Sequence, residues 1–275
     1  MTDRGAGREW ILRWRILAVI LVPILTALIK LDIRHPERMP RTGAVIVSPN
    51  HFSDVDPVAI GFAMWRLGRV PRYLAKASLF RVPVLGGFLR MLGQIPVERG
   101  GGGNPLAAAH DLIRRGLAVV IYPEGTHTRE PELWPMRGKT GAVRAALEAG
   151  VPIVPIAHWG TQRIMGRWSK KLRLLPRHTV AIAVGEPFDL SPWRDRPLDR
   201  ATLQEATDAL MRRIAELLGE LRGEAPPESL WDPADHGQSS WGRPTPHDLE
   251  VIARAQAGGD GEGADGADGA PGSAA

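Results

Sequence analysis

Short runs of β-branched and aliphatic residues alternate with helix-length segments from residue 44 to residue 221, and this alternation limits the fold most narrowly. Ala44–Ser48 (AVIVS), Arg72–Ala75, Gln94–Val97, Ala118–Tyr122, Ile153–Ala157 and Thr179–Val184 read as strands. Pro57–Leu67, Pro105–Arg115 and Lys139–Ala149 read as helices, as does the amphipathic stretch Leu198–Leu221. A shorter helix fits Pro83 to about Leu92, although Gly86 and Gly87 disfavour it. Strands and helices in alternation build an α/β sheet covered by helices. A chain of 275 residues is long enough for one such domain with extensions.

The two ends read differently. WILRWRILAVILVPILTALIKL, Trp10 to Leu31, has a charge-free stretch from Ile16 to Ile29, which as a helix reaches only about 21 Å at 1.5 Å per residue. A bilayer core of roughly 30 Å needs about 20 residues. Arg13 and Arg15 precede the stretch, and KLDIRHPERMP after it offers no small-residue cleavage site, so a signal peptide fits poorly. Residues 1–32 are expected to form a monotopic membrane anchor, with tryptophan and arginine at the headgroups. A helix packed on the domain and a tilted single span are the alternatives. The globular domain is expected over 33–222. The remainder, 223–275, is rich in proline and glycine and is expected to be disordered from about Gly258, with Trp231 and Trp241 available to dock the stretch before it.

There is no cysteine, which excludes disulfides, thiolate metal sites and a cysteine nucleophile. All but five of the 35 basic residues are arginine, whose planar fork suits phosphate. The charge is clustered. From Arg66 to Arg99 the only acid is Glu98, and from Arg163 to Arg177 there is none. Such patches fit an anionic partner. No zinc finger, aromatic RNA-binding strand or zipper-linked basic region is present, so the expected partner is an anionic membrane or phosphorylated substrate, not nucleic acid.

NHFSDVDP, Asn50 to Pro57, stands where a strand gives way to a helix. Asp56 followed by Pro57 is a good helix start, with the aspartate as cap. His51 lies five residues before Asp56, a spacing that on one continuous helix sets the side chains about 140° apart. They meet only if the intervening residues form a turn. In that case Asp56 accepts from one ring nitrogen and leaves the other free to take a proton. Both readings of Asp56 stay open at this point.

Three more segments fall at strand ends: GQIPVERG (Gly93–Gly100), VVIYPEGTHTRE (Val119–Glu130) and VPIVPIAHWG (Val151–Gly160). Open α/β sheets bind ligands beyond the carboxyl ends of their strands, so these segments are candidates for one crevice. Together with NHFSDVD they resemble, in order, the four signature blocks of the glycerolipid acyltransferase family, from about Ile33 to Pro187. The resemblance implies a mixed α/β sheet flanked by helices, of the glycerophosphate acyltransferase type, with an amino-terminal membrane-associated helix. It implies His51 as general base and Asp56 as its orienting partner. It places Asn50, Arg99, Glu124, Gly125, Thr126 and Arg129 among the substrate-binding residues; Lys139, read from the RGKTG stretch, is a further candidate contact beside its reading as a helix-start lysine. It also implies a thioester co-substrate, acyl-CoA or acyl carrier protein, a lysophospholipid acceptor, and residence at the cytoplasmic face of the cell membrane, monotopic or peripheral. The alternatives are the same chemistry on glycerol-3-phosphate, another lysophospholipid or a glycolipid, or a catalytically silent membrane-binding protein of the same fold. No cofactor and no metal are expected. One position departs from the pattern: the family places arginine directly after its E-G-T, and here His127 stands there, with Arg129 two residues on.

Other motifs fail. RGKTG (Arg137–Gly141) lacks the glycine of a phosphate loop, because Leu133 occupies its place. No G-x-S-x-G elbow exists for Ser48 or Ser53 to serve as a hydrolase nucleophile. His158 reads as a strand histidine, and no histidine pair has metal-ligand spacing.

Overall fold

The computed structural model of the chain describes residue 15 and residues 18–97 and 105–259. Seven strands form one sheet in the order β1-β7-β6-β2-β5-β3-β4. They are β1 (Ile29–Arg34), β2 (Val45–Pro49), β3 (Pro71–Lys76), β4 (Ile95–Val97), β5 (Ala118–Val120), β6 (Ile153–Trp159) and β7 (His178–Val184). Strands β2 to β6 run parallel, β7 runs antiparallel to β6, and β1 runs parallel to β7. The sheet is therefore mixed.

Its centre is dry because both faces are covered. In β2 all five residues are buried, which requires the unbroken apolar run seen in the sequence. Val45 and Val47 pack to one side with Ala59, Ile60 and Met64 of α2 (Asp56–Arg66). Ile46 points to the other side, toward a cluster from α4 (Pro105–Arg114), α5 (Gly141–Ala149) and α8 (Arg200–Arg222). The long α8 is capped by Asp199, which accepts from the Thr202 N–H at 2.8 Å, and stops at Gly223, a left-handed residue. Leu203, Leu210 and Ile214 of α8 belong to that cluster.

Smaller helices complete the chain. α1 covers residues 18–28, α3 is Leu85–Met91, α6 is Thr161–Ile164, α7 is Ser191–Arg194 and α9 is Pro246–Gly259. One expectation changes here. The sheet starts earlier than the sequence suggested: Ile29–Arg34 forms β1, paired with His178–Ala183, so the stretch assigned to the anchor up to residue 32 contributes an edge strand. Beyond residue 222 the chain continues in order, with Trp231 bridged to Met136, Arg137 paired to Asp232 at 2.7 Å, and α9. Residues 1–14, 16–17, 98–104 and 260–275 lie outside the described residues, and with them both tryptophans of the expected anchor and the end of the tail. Among the described residues no helix is long and apolar enough to cross a membrane.

Candidate active site

The carboxyl ends of β2, β5 and β6 meet at one edge of the sheet, and the turn after β2 brings the histidine and aspartate together. Asp56 is the first residue of α2, and Val55 holds the cap position. Of the two readings of Asp56 the structure takes the orienting one, because the carboxylate turns back into the preceding loop. Its Oδ2 accepts the Phe52 and Ser53 N–H groups, each at 2.8 Å, and faces His51 Nδ1 at 3.0 Å. These two backbone donors fold the loop around the carboxylate, and this turn is what closes the five-residue gap. The other oxygen, Oδ1, accepts the Thr161 hydroxyl at 2.6 Å. Asp56 is fully buried. Burial pushes its pKa upward, but the charges of His158 and His51 and the hydrogen bonds from His51 and Thr161 outweigh burial and hold it at about 2. The carboxylate is ionised at neutral pH.

His51 is partly exposed, stacked obliquely on Tyr122 at 4.2 Å and edge-on to His127 at 4.5 Å. Its Nδ1 is engaged by Asp56, and no described residue bonds Nε2. Glu124 braces the same residue from below: one carboxyl oxygen accepts the His51 N–H at 2.9 Å and the other accepts the Met136 N–H at 3.2 Å. Burial drives Glu124 up to about 8, against those two hydrogen bonds. Gly125 follows at φ +71, and an added Cβ would lie 3.1 Å from Lys139 Cδ, so only glycine lets the lysine stem cross there.

Asn50 links two strands. It is buried, its amide donates to His158 O at 3.2 Å and accepts the His158 N–H at 2.9 Å, and its own carbonyl faces His158 Nε2 at 2.9 Å. The residue braces β2 against β6. Burial pushes the pKa of His158 down, with Asp56 pulling the other way.

The cationic residues form a wall beside Gly125, and the carboxy-terminal segment lies against it. Arg129 is fully buried, donates to Ser239 O at 3.1 Å and Gly242 O at 3.0 Å, and lies over the Trp168 ring. Its Nη1 is buried without a hydrogen-bond partner among the described residues. Thr126 donates to Gly242 O at 2.9 Å. Lys139 Nζ donates to Ser240 O at 2.7 Å and sits 2.8 Å from the centre of the Trp241 ring. His127, where the family has arginine, is depressed to about 4 by burial and by the neighbouring charge of His51, against the pull of Asp56 and Asp54. It supplies no cation at neutral pH. Arg99 lies outside the described residues. Among the described residues no group of three or more histidine or carboxylate side chains is arranged to hold a metal ion.

Sequence reasoning missed Thr161 and the strap Ser239–Gly242. No spacing rule links Thr161 to Asp56, which is 105 residues away, and the strap acts through backbone carbonyls.

This edge of the sheet carries an imidazole held by a buried carboxylate, and residues 30–159 match the family model described as Acyltransferase. Among curated proteins the chain is 34% identical over 164 residues to the chloroplastic 1-acyl-sn-glycerol-3-phosphate acyltransferase BAT2 of Brassica napus, an overlap of 58% of this chain and 45% of the relative. It is 29% identical over 189 residues to the 1-acyl-sn-glycerol-3-phosphate acyltransferase of Bacillus subtilis, covering 67% and 86% of the two chains. The chain thus spans less than half the length of the Brassica protein and most of the bacillar one. Its fold is shared with the 1-acyl-sn-glycerophosphate (LPA) acyltransferase PlsC from Thermotoga maritima, at a TM-score of 0.60 and 21% identity over 82% of this chain and 86% of that one.

Proposed function

We propose that the protein is a membrane-bound O-acyltransferase that moves a fatty acyl group from acyl-CoA or acyl carrier protein to 1-acyl-glycerol-3-phosphate, giving phosphatidic acid. The observation that carries this reading is the 3.0 Å contact of His51 Nδ1 with the buried Asp56 carboxylate, which leaves Nε2 for an acceptor hydroxyl. On this reading His51 takes the hydroxyl proton as the acceptor oxygen bonds to the thioester carbonyl carbon. The tetrahedral oxyanion then collapses, the C–S bond breaks, and the imidazolium returns its proton to the departing thiolate. Asp56, ionised throughout, stabilises the imidazolium. General-base help of this kind is worth about 10²- to 10⁴-fold, and holding both substrates in a near-attack geometry supplies more. The activity needs no cofactor beyond the thioester co-substrate.

The relatives' names support lysophosphatidic acid as acceptor. The neutral His127 favours a second reading, the same chemistry on another hydroxyl acceptor: glycerol-3-phosphate, another lysophospholipid or a glycolipid. The test is transfer from labelled long-chain acyl-CoA to lysophosphatidic acid and glycerol-3-phosphate side by side, with His51→Ala as control. Labelled phosphatidic acid from the first acceptor, with a loss of at least about 10²-fold in the variant, is expected. Undiminished transfer by His51→Ala refutes the general base.

A further inference from the structure

A cavity of about 360 Å³ lies between α8, the loop that follows Arg129 and the segment that follows α8. Glu130 and Pro135 line it from the loop, Ala215 from α8, and Leu230, Trp231 and Asp235 from the segment. The volume is that of a small-molecule pocket. None of the residues gathered round His51 lines it, so the cavity is a separate place for a ligand. The segment belongs to the part of the chain beyond residues 30–159, the stretch that matches the family model.

The lining selects a chemical class. Pro135, Ala215 and Leu230 are apolar, and the Trp231 indole is stacked on the His236 ring at 3.6 Å and 8°. Glu130, Asp232 and Asp235 line the cavity, and among the described residues no arginine or lysine does. Asp232 is committed, accepting from Arg137 at 2.7 Å and from the Ala234 N–H at 2.9 Å. Asp235 is exposed, and its carboxylate accepts from none of the described residues. Glu130 is buried, and one of its oxygens accepts the Trp134 N–H at 2.7 Å. Burial raises its pKa to about 7 against that hydrogen bond, so a cation placed beside it restores the charged form and is held in return. Carboxylates beside an indole and apolar walls are the surroundings of an organic cation.

The two walls of the cavity are also the two parts that hold the stretch Ser239–Gly242, the strap, on the site. On the segment, Trp231 Nε1 donates to the Gln238 side chain at 2.8 Å and the Gln238 N–H donates to Pro233 O at 2.8 Å. The next residue is Ser239, where the strap begins. On the loop, Glu130 follows Arg129, which donates to Ser239 O and Gly242 O. A molecule in the cavity touches both walls only while the segment is in place, so it binds the covered form of the site better than the uncovered one. We propose that the cavity is an inhibitory site for a small organic cation with an apolar body, and that its occupancy holds Ser239–Gly242 over Thr126, Arg129 and Lys139. Linkage makes the effect reciprocal: an acceptor that displaces the strap weakens the cation by the same factor as the cation weakens the acceptor. Inhibition rests on the acyl transfer proposed above, and binding of the cation does not.

The test is calorimetric titration of the full chain with phenylbutylamine, beside the neutral phenylbutanol and the anionic phenylbutyrate. The amine binds about tenfold or more tightly than the alcohol, and the anion binds least. Asp235→Asn, at an exposed position that leaves folding untouched, lowers the amine's affinity severalfold. Glu130→Gln with Asp235→Asn lowers it about tenfold or more, to the level of the alcohol. Hydrogen exchange at residues 239–242 slows when the amine is bound, whether or not transfer is seen. In the transfer assay the amine raises KM for lysophosphatidic acid about threefold or more at unchanged kcat, and it has no such effect on the double variant. Equal affinity for amine and alcohol overturns the proposal, as does wild-type binding of the amine by the double variant. Amine binding that leaves exchange at the strap unchanged overturns the inhibitory role. Amine binding with slowed exchange, in a protein that acylates no lysophosphatidic acid, keeps the cavity site and loses the proposed acceptor.

Discussion

Replacing Thr161 by valine keeps the shape of the side chain and removes one proton donor, the hydroxyl that bonds Asp56 Oδ1 at 2.6 Å. Both residues are fully buried, so no water takes its place cheaply. A hydrogen bond to a buried charge contributes about 1.5–3 kcal/mol, and at about 1.4 kcal/mol per pKa unit its loss raises Asp56 by roughly one to two units from its value near 2. The carboxylate stays ionised at neutral pH, so His51 keeps a charged partner. What is lost is the fixed orientation of that partner. On the proposed reading, the expected result is a fall in kcat of about ten- to a hundredfold with KM for either substrate little changed.

Stability gives a second readout. The pKa of Asp56 is lowered on folding, so it stabilises the fold above its ordinary value of 3.8, and this contribution is lost as pH falls toward 2. In Thr161→Val the two values move together. The variant is then less stable than wild type at neutral pH by about 2 kcal/mol, and the difference shrinks below about pH 3. Urea unfolding at both pH values, beside steady-state transfer, measures this. Thr161→Ser, which restores the donor, recovers both. Wild-type kcat in Thr161→Val, or a stability loss independent of pH, refutes the assignment of Thr161 as a positioning residue for Asp56.

Two further outcomes follow from the geometry. Trp241→Ala removes the ring over Lys139 and loosens the strap, so KM for lysophosphatidic acid should fall about fivefold at unchanged kcat; a rise in KM shows instead that the indole helps to bind the acceptor. Gly160→Ala should lower stability by about 2–3 kcal/mol in thermal unfolding, because Gly160 sits at φ +116 and an added Cβ would lie 2.3 Å from Thr179 O; an unchanged melting temperature contradicts this.

The interior strands were legible because burial on both faces leaves an unbroken apolar run, as in AVIVS and VPIVPIA. β1 was not, because IKLDIR is an edge strand with Lys30, Asp32 and Arg34 turned outward, and it follows an apolar helix that masked its start. The His51–Asp56 pair was readable from a single loop, but its cap reading and its orienting reading differ only in which way a carboxylate turns, and the Phe52 and Ser53 N–H groups decide that. The bracing role of Asn50 was hidden in the sequence for a related reason. A buried amide bracing two strands and an amide facing a ligand look the same in sequence, and only the position of His158, 108 residues away, separates them.

The strap bears on which acceptor the proposed reaction takes. Arg129, Thr126 and Lys139 are held by three backbone carbonyls and an indole face, none of which carries a full negative charge. A phosphate dianion offers these donors stronger, charge-assisted hydrogen bonds than carbonyls do, so a phosphorylated acceptor has the means to displace Ser239–Gly242. A neutral glycolipid hydroxyl has no such means. On the proposed reading the strap therefore discriminates in favour of phosphate-bearing acceptors even though it covers the residues that would bind them. Trp241→Ala should then narrow the preference for lysophosphatidic acid over a neutral alcohol chiefly by admitting the alcohol, and an unchanged ratio of kcat/KM values would show that the strap plays no part in the choice.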